Sequence, residues 1–185
     1  MADNYLENKM DEHRRAGVRP TVSRAARTAP SVTLRLACRH ILVDNVRHEA
    51  APAIMSRLSA TGATVTFIDD DATFGTRLAQ STGARFIPLT GSLEDAIAKA
   101  TVDRGPIEAI IACGDFRPEV QHLLELTSVS NLIILGTADF TAIPATVRAN
   151  ALNPTNLTIA QTASLALYLL TRDATSLKSV TIEFK

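Results

Sequence analysis

Residues 41–54, ILVDNVRHEAAPAI, bring four ionisable side chains together directly after an apolar run. They are Asp44, Arg47, His48 and Glu49, and Arg47 and His48 could bind a small metabolite. An apolar run followed by a turn and a helical pattern is also where nucleotide-binding folds place a glycine-rich phosphate loop. This turn contains no glycine. The stretch therefore predicts either a different kind of site or a phosphate loop that has lost its ligand.

Two further features could carry chemistry. Asp69, Asp70 and Asp71 are consecutive, and carboxylates suit a divalent cation. No other ligand is spaced to complete a metal site, so strand termination and helix capping explain these acids better. Cys113 is either a thiol in a cleft or an inert core residue. No histidine is grouped with cysteine or glutamate at metal spacing, and we predict no metal site.

Strands and helices alternate along the chain from about residue 38. Short β-branched runs separated by amphipathic runs are typical of parallel βαβ units. We predict an α/β fold: a Rossmann-like, doubly wound parallel sheet of about seven strands. Strands are predicted at 39–44, 64–69, 85–89, 107–113, 131–136, 146–152 and 178–184. Helices are predicted at 51–61, 72–82, 92–103, 117–127 and 157–171.

Composition excludes several classes of protein. The chain has 185 residues and a formal net charge of zero, so overall charge does not indicate a nucleic-acid or membrane partner. No apolar run approaches the roughly 20 residues that span a bilayer. The charged N-terminus does not read as a secretory signal, and the two cysteines follow no disulfide pattern. A cytoplasmic location is expected.

Residues 1–37 differ in composition from the rest and are predicted as a separate segment. A short helix is expected over residues 3–15, followed by an extended arm. Seven arginines and no acidic residue lie between His13 and Val43. Such an arm either lies on the domain or on a partner subunit, or forms a patch for an acidic partner or a phosphate.

Read in order, residues 38–184 resemble a short-chain dehydrogenase/reductase. The first four predicted strands and three helices follow that family without a gap, and its aspartate at the end of the second strand falls on Asp69. VRANALNP, residues 147–154, resembles the family's sixth strand, which usually reads Arg-Val-Asn-Ala-Ile-x-Pro-Gly. Residues 161–184 resemble its last helix and strand. The resemblance implies a dinucleotide-binding fold and an oxidoreductase ancestry.

The phosphate loop departs from the family pattern Thr-Gly-x-x-x-Gly-x-Gly. Those positions fall on Asp44, Asn45, Glu49 and Ala51. The glycines let the backbone approach a diphosphate closely, whereas two of the replacements are acidic. At an effective dielectric of about 20, two unit charges about 4 Å apart interact by about 4 kcal/mol. One such repulsion would remove about a thousandfold of affinity, and Arg47 and His48 would offset part of it.

The family's catalytic residues are missing as well. Its Asn-Asn-Ala-Gly after the fourth strand falls on residues 112–115, Ala-Cys-Gly-Asp. Its Ser, and Tyr and Lys spaced Tyr-x-x-x-Lys, belong after the fifth strand, where TADFTAIPAT (137–146) contains neither Tyr nor Lys. Tyr5 and Lys9 fit the spacing but precede the first strand, and Tyr168 is expected to pack against the sheet. We predict no catalytic residues and no helix between strands five and six.

We therefore expect a catalytically degenerate member of this family, a pseudoenzyme that acts as a binding or assembly module. One alternative is an NAD(P)-binding oxidoreductase with an altered cofactor site. Another is a cleft that binds a different small metabolite through Arg47, His48 and the Arg-rich arm. No cofactor is expected. If NAD(P) is bound, the resemblance assigns its contacts to Asp44, Asn45, Asp69, Thr90, Gly91, Ala112 and Gly114.

The missing helix has a consequence for partners. Exposed apolar sheet costs roughly 25 cal/mol per Å², so the arm, another subunit or both should cover strands five and six. Ten residues are near the lower limit for a parallel crossover, so this link should be an extended loop or one helical turn. We expect a homo-oligomer, preferably a dimer formed through residues 157–171 and 178–184.

Overall fold

The computed structural model describes residues 36–102 and 104–184. The predicted N-terminal helix, most of the Arg-rich arm, and the pair Tyr5 and Lys9 lie outside these residues. The predicted boundary at residue 37 therefore stays a prediction.

The described chain contains seven strands and five helices in the predicted order, and most of them are shorter at the ends than predicted. The longest helices have 11 residues, and no helix in the described part is long and apolar enough to cross a bilayer. The strands are β1 (His40–Asp44), β2 (Thr64–Asp69), β3 (Arg85–Pro88), β4 (Ala109–Ala112), β5 (Asn131–Ile134), β6 (Arg148–Leu152) and β7 (Val180–Ile182). The helices are α1 (Ala51–Ala60), α2 (Ala72–Thr82), α3 (Leu93–Val102), α4 (Pro118–Leu126) and α5 (Ile159–Leu169), with a 3-10 turn at Phe140–Ala142.

The strands form one parallel sheet in the order β3-β2-β1-β4-β5-β6-β7. The order reverses between β1 and β4, which makes this the topological switch point where such sheets place ligands. Asp44 is in register with Ala112 across it. The carboxyl ends of β1 and β4 are therefore adjacent, and the predicted fold class is confirmed.

Helices cover both faces of the sheet and divide the core into two clusters. Every residue of β4 and β5 is buried, as expected for parallel strands covered on both faces. One cluster joins the sheet to α1 and α5 through residues such as Ile54 and Ala166. The other joins it to α3 and α4 through residues such as Ile97 and Leu123. The helices consequently hold the strand ends of the switch point in fixed positions.

Side-chain caps begin α2 and α5, and helix capping by Asp71 was predicted from the sequence. The Asp71 carboxylate accepts hydrogen bonds from the amides of Thr73 and Phe74 at the start of α2, and Gly83 ends that helix with a φ of 72°. Thr158 and Gln161 form a capping box at the start of α5. Helices α1 and α4 differ, because Ala50 and Arg117 precede them and supply no side-chain cap. The turn before α1 must therefore be stabilised by other contacts.

The link between β5 and β6 contains only the 3-10 turn, so the expected loss of the helix is confirmed. Phe140 and Ile143 from this link pack against the α3–α4 cluster. Ala149 and Ala151, which belong to the same cluster on β6, are buried. The link itself therefore supplies part of the cover that the missing helix would give. Cover by a second subunit stays a prediction.

Candidate functional site

The first turn, residues 44–50, is joined to the end of β4 by the side chain of Asn45. This asparagine has a φ of 53°, a left-handed conformation that glycine adopts freely and that asparagine tolerates better than most residues. Its Nδ2 donates a hydrogen bond to the carbonyl of Cys113 at 2.5 Å. The turn thus keeps a backbone shape suited to glycine, while a side chain crosses the switch point.

Asp44 and Arg117 form a second connection across the same gap. The guanidinium of Arg117, which precedes α4, lies 2.8 Å from the Asp44 carboxylate. Burial raises the pKa of Asp44, and the Arg117 charge offsets only part of that effect. Nε of Arg117 is buried and has no hydrogen-bond partner among the described residues. The ion pair therefore closes the gap but leaves one donor unsatisfied.

Several backbone amides of the first turn already have acceptors within it. The amide of His48 donates to the carbonyl of Asn45 at 3.0 Å, and the amide of Ala51 donates to the carbonyl of His48 at 3.0 Å. The amide of Ala50 donates to Nδ1 of His48 at 3.2 Å. Pro52 follows and has no N–H. These amides are consequently engaged within the turn, whereas phosphate-binding loops direct such groups at the ligand.

Asp69, which falls on the family's aspartate at the end of the second strand, already has a partner. Its carboxylate accepts hydrogen bonds from Arg47 and from the amide of Asp71, both at 2.8 Å. Its side chain is only 8% exposed. The Arg47 guanidinium also lies 4.7 Å from the centre of the Phe74 ring, within the range of a cation–π contact. In a dinucleotide-binding domain this carboxylate would accept a hydrogen bond from a ribose hydroxyl. Here the carboxylate is paired with the Arg47 guanidinium instead.

The other predicted positions divide into two groups. Ala112 is buried at the end of β4, and Gly114 lies just beyond it with a φ of 132°. A Cβ at Gly114 would lie 3.4 Å from Nδ2 of Asn45, so these residues share the closed end of the gap. Thr90 and Gly91 lie apart, on the exposed loop between β3 and α3.

The candidate thiol and metal features carry no chemistry here. Cys113 is fully buried, and burial together with the nearby Asp44 carboxylate raises its pKa to about 12. A thiol with so high a pKa is a poor nucleophile at neutral pH. Among the residues that the structure describes, no group of three or more His, Cys, Asp or Glu side chains could hold a metal ion.

A small cavity of about 220 Å³ lies beside the first turn. Its walls are mainly apolar and include Leu89, Leu93 and Leu123. Asp44 and Glu119 also line it. A second cavity of about 200 Å³ lies between residues 48–50 and residues 154–162. The cleft therefore offers two separate spaces on either side of the first turn.

The carboxyl edge of the sheet is acidic around this cleft. The ends of β1 to β4 and the loops that follow them, residues 44–50, 69–71, 88–92 and 112–117, carry six acids and two arginines. The acids are Asp44, Glu49, Asp69, Asp70, Asp71 and Asp115, and the arginines are Arg47 and Arg117. This edge consequently disfavours an anionic ligand.

Solved structures identify the architecture. No family model matches the sequence, and no curated protein matches it. A short-chain dehydrogenase/reductase from Brucella melitensis, described as glucose/ribitol dehydrogenase, is 14% identical with a TM-score of 0.60, over 79% of this chain and 94% of that one. The fold is that of a short-chain dehydrogenase/reductase. BdcA (YjgI) from E. coli is 16% identical with a TM-score of 0.54, over 78% of this chain and 96% of its own.

Another structure with the short-chain dehydrogenase/reductase fold was solved with a cofactor. It is a blue fluorescent protein from a metagenomic library in complex with NADPH, 15% identical with a TM-score of 0.58, over 78% of this chain and 95% of that one. BdcA was also solved in complex with NADPH. The shared fold makes NAD(P) the cofactor against which this cleft should be tested.

The first turn does not fit the diphosphate of NAD(P). The side chain of Asn45 crosses the switch point, and the amides of His48, Ala50 and Ala51 are engaged within the turn. The carboxylates of Asp44 and Glu49 would also lie beside the phosphates. A short-chain dehydrogenase/reductase fold is therefore present without the phosphate-binding features that usually accompany it.

Sequence reasoning missed Arg117 and Glu119. Both lie in DFRPE, residues 115–119, directly after β4. Carboxyl ends of neighbouring parallel strands meet at one edge, and Arg117 is the only cation between β4 and α4. The position of Arg117 directly after β4 could therefore have predicted its ion pair with Asp44 at the end of β1. Tyr168 was also predicted wrongly, because it is 43% exposed and does not pack fully against the sheet.

Replacement of Asp44 by Asn should change how stability depends on pH. The folded-state pKa of Asp44 is raised, so protonation of this carboxyl group stabilises the folded state. That stabilisation is complete below the unfolded-state pKa and is lost as the pH rises through the folded-state pKa. Asp44→Asn should thus be at least as stable as the native chain at pH 7, and any advantage should disappear near pH 3.5. Urea unfolding at several pH values measures this. If the free energy of unfolding of Asp44→Asn, compared with that of the native chain, were lower at pH 7 than at acidic pH, the raised pKa of Asp44 would be contradicted.

Proposed function

We propose that this chain is a non-catalytic domain with the short-chain dehydrogenase/reductase fold, which acts as a binding or assembly module. The observation that carries the proposal is the pair of side-chain connections across the switch point, Asp44 to Arg117 and Asn45 to Cys113. They occupy the gap in which a dinucleotide would lie. The short link between β5 and β6 supports the proposal, because it contains neither a Tyr nor a Lys.

An NAD(P)-binding oxidoreductase with an altered site is the second candidate. Nε of Arg117 favours it, since this buried donor has no partner among the described residues. An unsatisfied buried donor costs about 1–3 kcal/mol, and a phosphate or ribose oxygen would satisfy it. Binding would require Arg117 to leave Asp44 or to share its charge with the ligand.

Titration with nicotinamide dinucleotides decides between the two candidates. We expect no thermal shift of the full chain with NAD, NADH, NADP or NADPH. A ligand at about 100 times its dissociation constant would stabilise the fold by about 2.7 kcal/mol, which such an assay detects readily. BdcA, which has been solved with NADPH, provides a positive control under the same conditions. A clear shift of this chain with any dinucleotide would support the second candidate.

We further propose that assembly occurs as a dimer through the last helix and the last strand. Tyr168 on α5 and Val180 on β7 are 43% and 36% exposed. β7 is also an edge strand of the sheet, and unprotected edges are sites of association. A second copy packed on this edge would cover both side chains.

Charge placed at this edge should dissociate the dimer. Tyr168→Arg and Val180→Arg should each shift the sedimentation coefficient towards that of a monomer. Val102→Arg is a matched control, because Val102 is 78% exposed on α3, away from the last helix and strand. Equal behaviour of all three variants, or a native chain that is monomeric at every concentration, would rule this assembly out.

A further inference from the structure

We propose that the cavity beside the first turn binds a small primary amine with an apolar body. This inference rests on the proposed function, because it assigns a class of ligand to a cleft that we infer takes no dinucleotide. Three features carry it: the apolar walls of the cavity, the carboxylates that line it, and the absence of aromatic rings from its lining.

The walls suit an aliphatic group. Ile68 at the end of β2, Leu89 after β3, Leu93 on α3 and Leu123 on α4 line the cavity together. These residues come from β2, the loop after β3, α3 and α4, so the cavity is part of the packed fold. A volume of about 220 Å³ is below the range of about 300–1,000 Å³ typical of drug-sized ligands. The occupant should accordingly be small.

The charges that line the cavity favour a cation. Asp44 and Glu119 line it, and among the described residues the Arg117 guanidinium forms an ion pair with Asp44 but not with Glu119. Among the described residues the Glu119 side chain has no ion pair or hydrogen bond. One carboxylate at the cavity is therefore not neutralised. The acidic edge described above adds to the same potential, which attracts a cation and repels an anion.

The lining also discriminates between kinds of cation. Quaternary ammonium ions are recognised by aromatic cages, and no aromatic residue is among those that line this cavity. A primary ammonium has three N–H donors and can form charge-assisted hydrogen bonds with carboxylates such as that of Glu119. The site thus matches a primary amine better than a quaternary one.

Three probes of nearly equal shape test the proposal on the full chain: 3-methylbutylamine, 3-methylbutan-1-ol and 3-methylbutanoate. Binding is followed by titration in nuclear magnetic resonance spectra. We expect the amine to bind saturably, the alcohol to bind at least tenfold more weakly, and the carboxylate not to bind. Glu119→Gln should weaken the amine at least tenfold and leave the alcohol unchanged. Glu125→Gln is the matched control, since Glu125 is on the same helix but does not line the cavity.

Glu119 is exposed, so its substitution should leave the fold intact, and circular dichroism checks this. Equal affinities for amine and alcohol, an unchanged affinity in Glu119→Gln, or no saturable binding of the amine would each overturn the proposal. Those results leave the proposed function standing as long as no dinucleotide shifts the thermal transition. A dinucleotide shift would instead overturn the proposed function, and the two failures are therefore distinguishable.

Discussion

A variant in which the first turn carries the glycines of the short-chain dehydrogenase/reductase pattern should bind a nicotinamide dinucleotide far more tightly than the native chain. The changes are Asp44→Thr, Asn45→Gly, Glu49→Gly and Ala51→Gly. They remove two carboxylates, each of which would oppose a phosphate by about 4 kcal/mol at about 4 Å and an effective dielectric of about 20. They also remove the side chain that bonds the carbonyl of Cys113. We expect a gain in affinity of about a thousandfold or more.

The same variant should free Arg117 for the ligand. Without the Asp44 carboxylate, the guanidinium that now lies 2.8 Å from it becomes a cation at the switch point with no partner there. In the native chain its Nε has no hydrogen-bond partner among the residues that the structure describes. A diphosphate could accept hydrogen bonds from such a group. The gain in affinity should therefore be reduced when Arg117→Met is added to the variant.

Isothermal titration calorimetry with NADP and NADPH measures the gain. Asp44→Asn with Glu49→Gln is the matched control, because it removes both charges without adding glycine and should recover only part of the affinity. Ala51→Gly weakens the start of α1 by up to about 1 kcal/mol, so the fold is first checked by circular dichroism. A folded variant with no gain in affinity would show that other features of the cleft exclude the dinucleotide.

Dinucleotide binding by the glycine variant should not be accompanied by oxidoreductase activity. Residues 135–147 form a link with a single 3-10 turn, and neither Tyr nor Lys lies in it. The family resemblance places proton transfer on a helix that this chain lacks. The glycine variant should therefore bind NADPH without oxidising it in the presence of carbonyl compounds.

The fold was predictable because each of its local signals agrees with the others. Asp71 caps α2, Gly83 ends it, and an apolar run follows at once, so the pattern from residue 64 to residue 88 has one consistent interpretation. The short link after β5 was equally clear, since ten residues cannot hold both a crossover and a helix of normal length. These features depend on neighbours in sequence and need no knowledge of distant contacts.

The candidate site was only partly predictable, because its closure depends on pairs that are distant in sequence. Asp44 and Asn45 were placed at the first turn, but their partners, Arg117 and Cys113, lie about 70 residues further on. Asp69 was assigned to a ribose by resemblance, whereas the structure pairs it with Arg47. The sequence gives the type of each of these residues, but the order of the strands in the sheet determines which side chains come into contact.

Loss of the Arg148 side chain should destabilise the fold strongly, because its guanidinium joins three acceptors from different parts of the chain. Its Nε donates to Oδ1 of Asn131 at 2.7 Å. Its two terminal nitrogens donate to the carbonyls of Ala174 at 2.6 Å and Leu169 at 2.9 Å. Leu169 is the last residue of α5, so the guanidinium also lies where a helix end favours positive charge. One side chain thus joins β5, β6 and the end of the last helix.

Arg148→Leu should lower the free energy of unfolding by about 3 kcal/mol. Hydrogen bonds to charged groups contribute about 1.5–3 kcal/mol each, and three acceptors would lose their donor. The full sum is not expected, because burial lowers the pKa of Arg148 and the substitution recovers that desolvation cost. Urea unfolding measures the change as a lower midpoint at an unchanged m-value.

Two further variants show whether the hydrogen bonds are the cause. Arg148→Lys keeps the charge but cannot reach three acceptors in a fixed geometry, so it should recover only part of the loss. Arg172→Leu removes an exposed arginine close to the same helix end and should change stability by no more than about 0.5 kcal/mol. If Arg148→Lys were as stable as the native chain, charge alone would account for the effect, and the three-way hydrogen bonding would not be what holds α5 to the sheet.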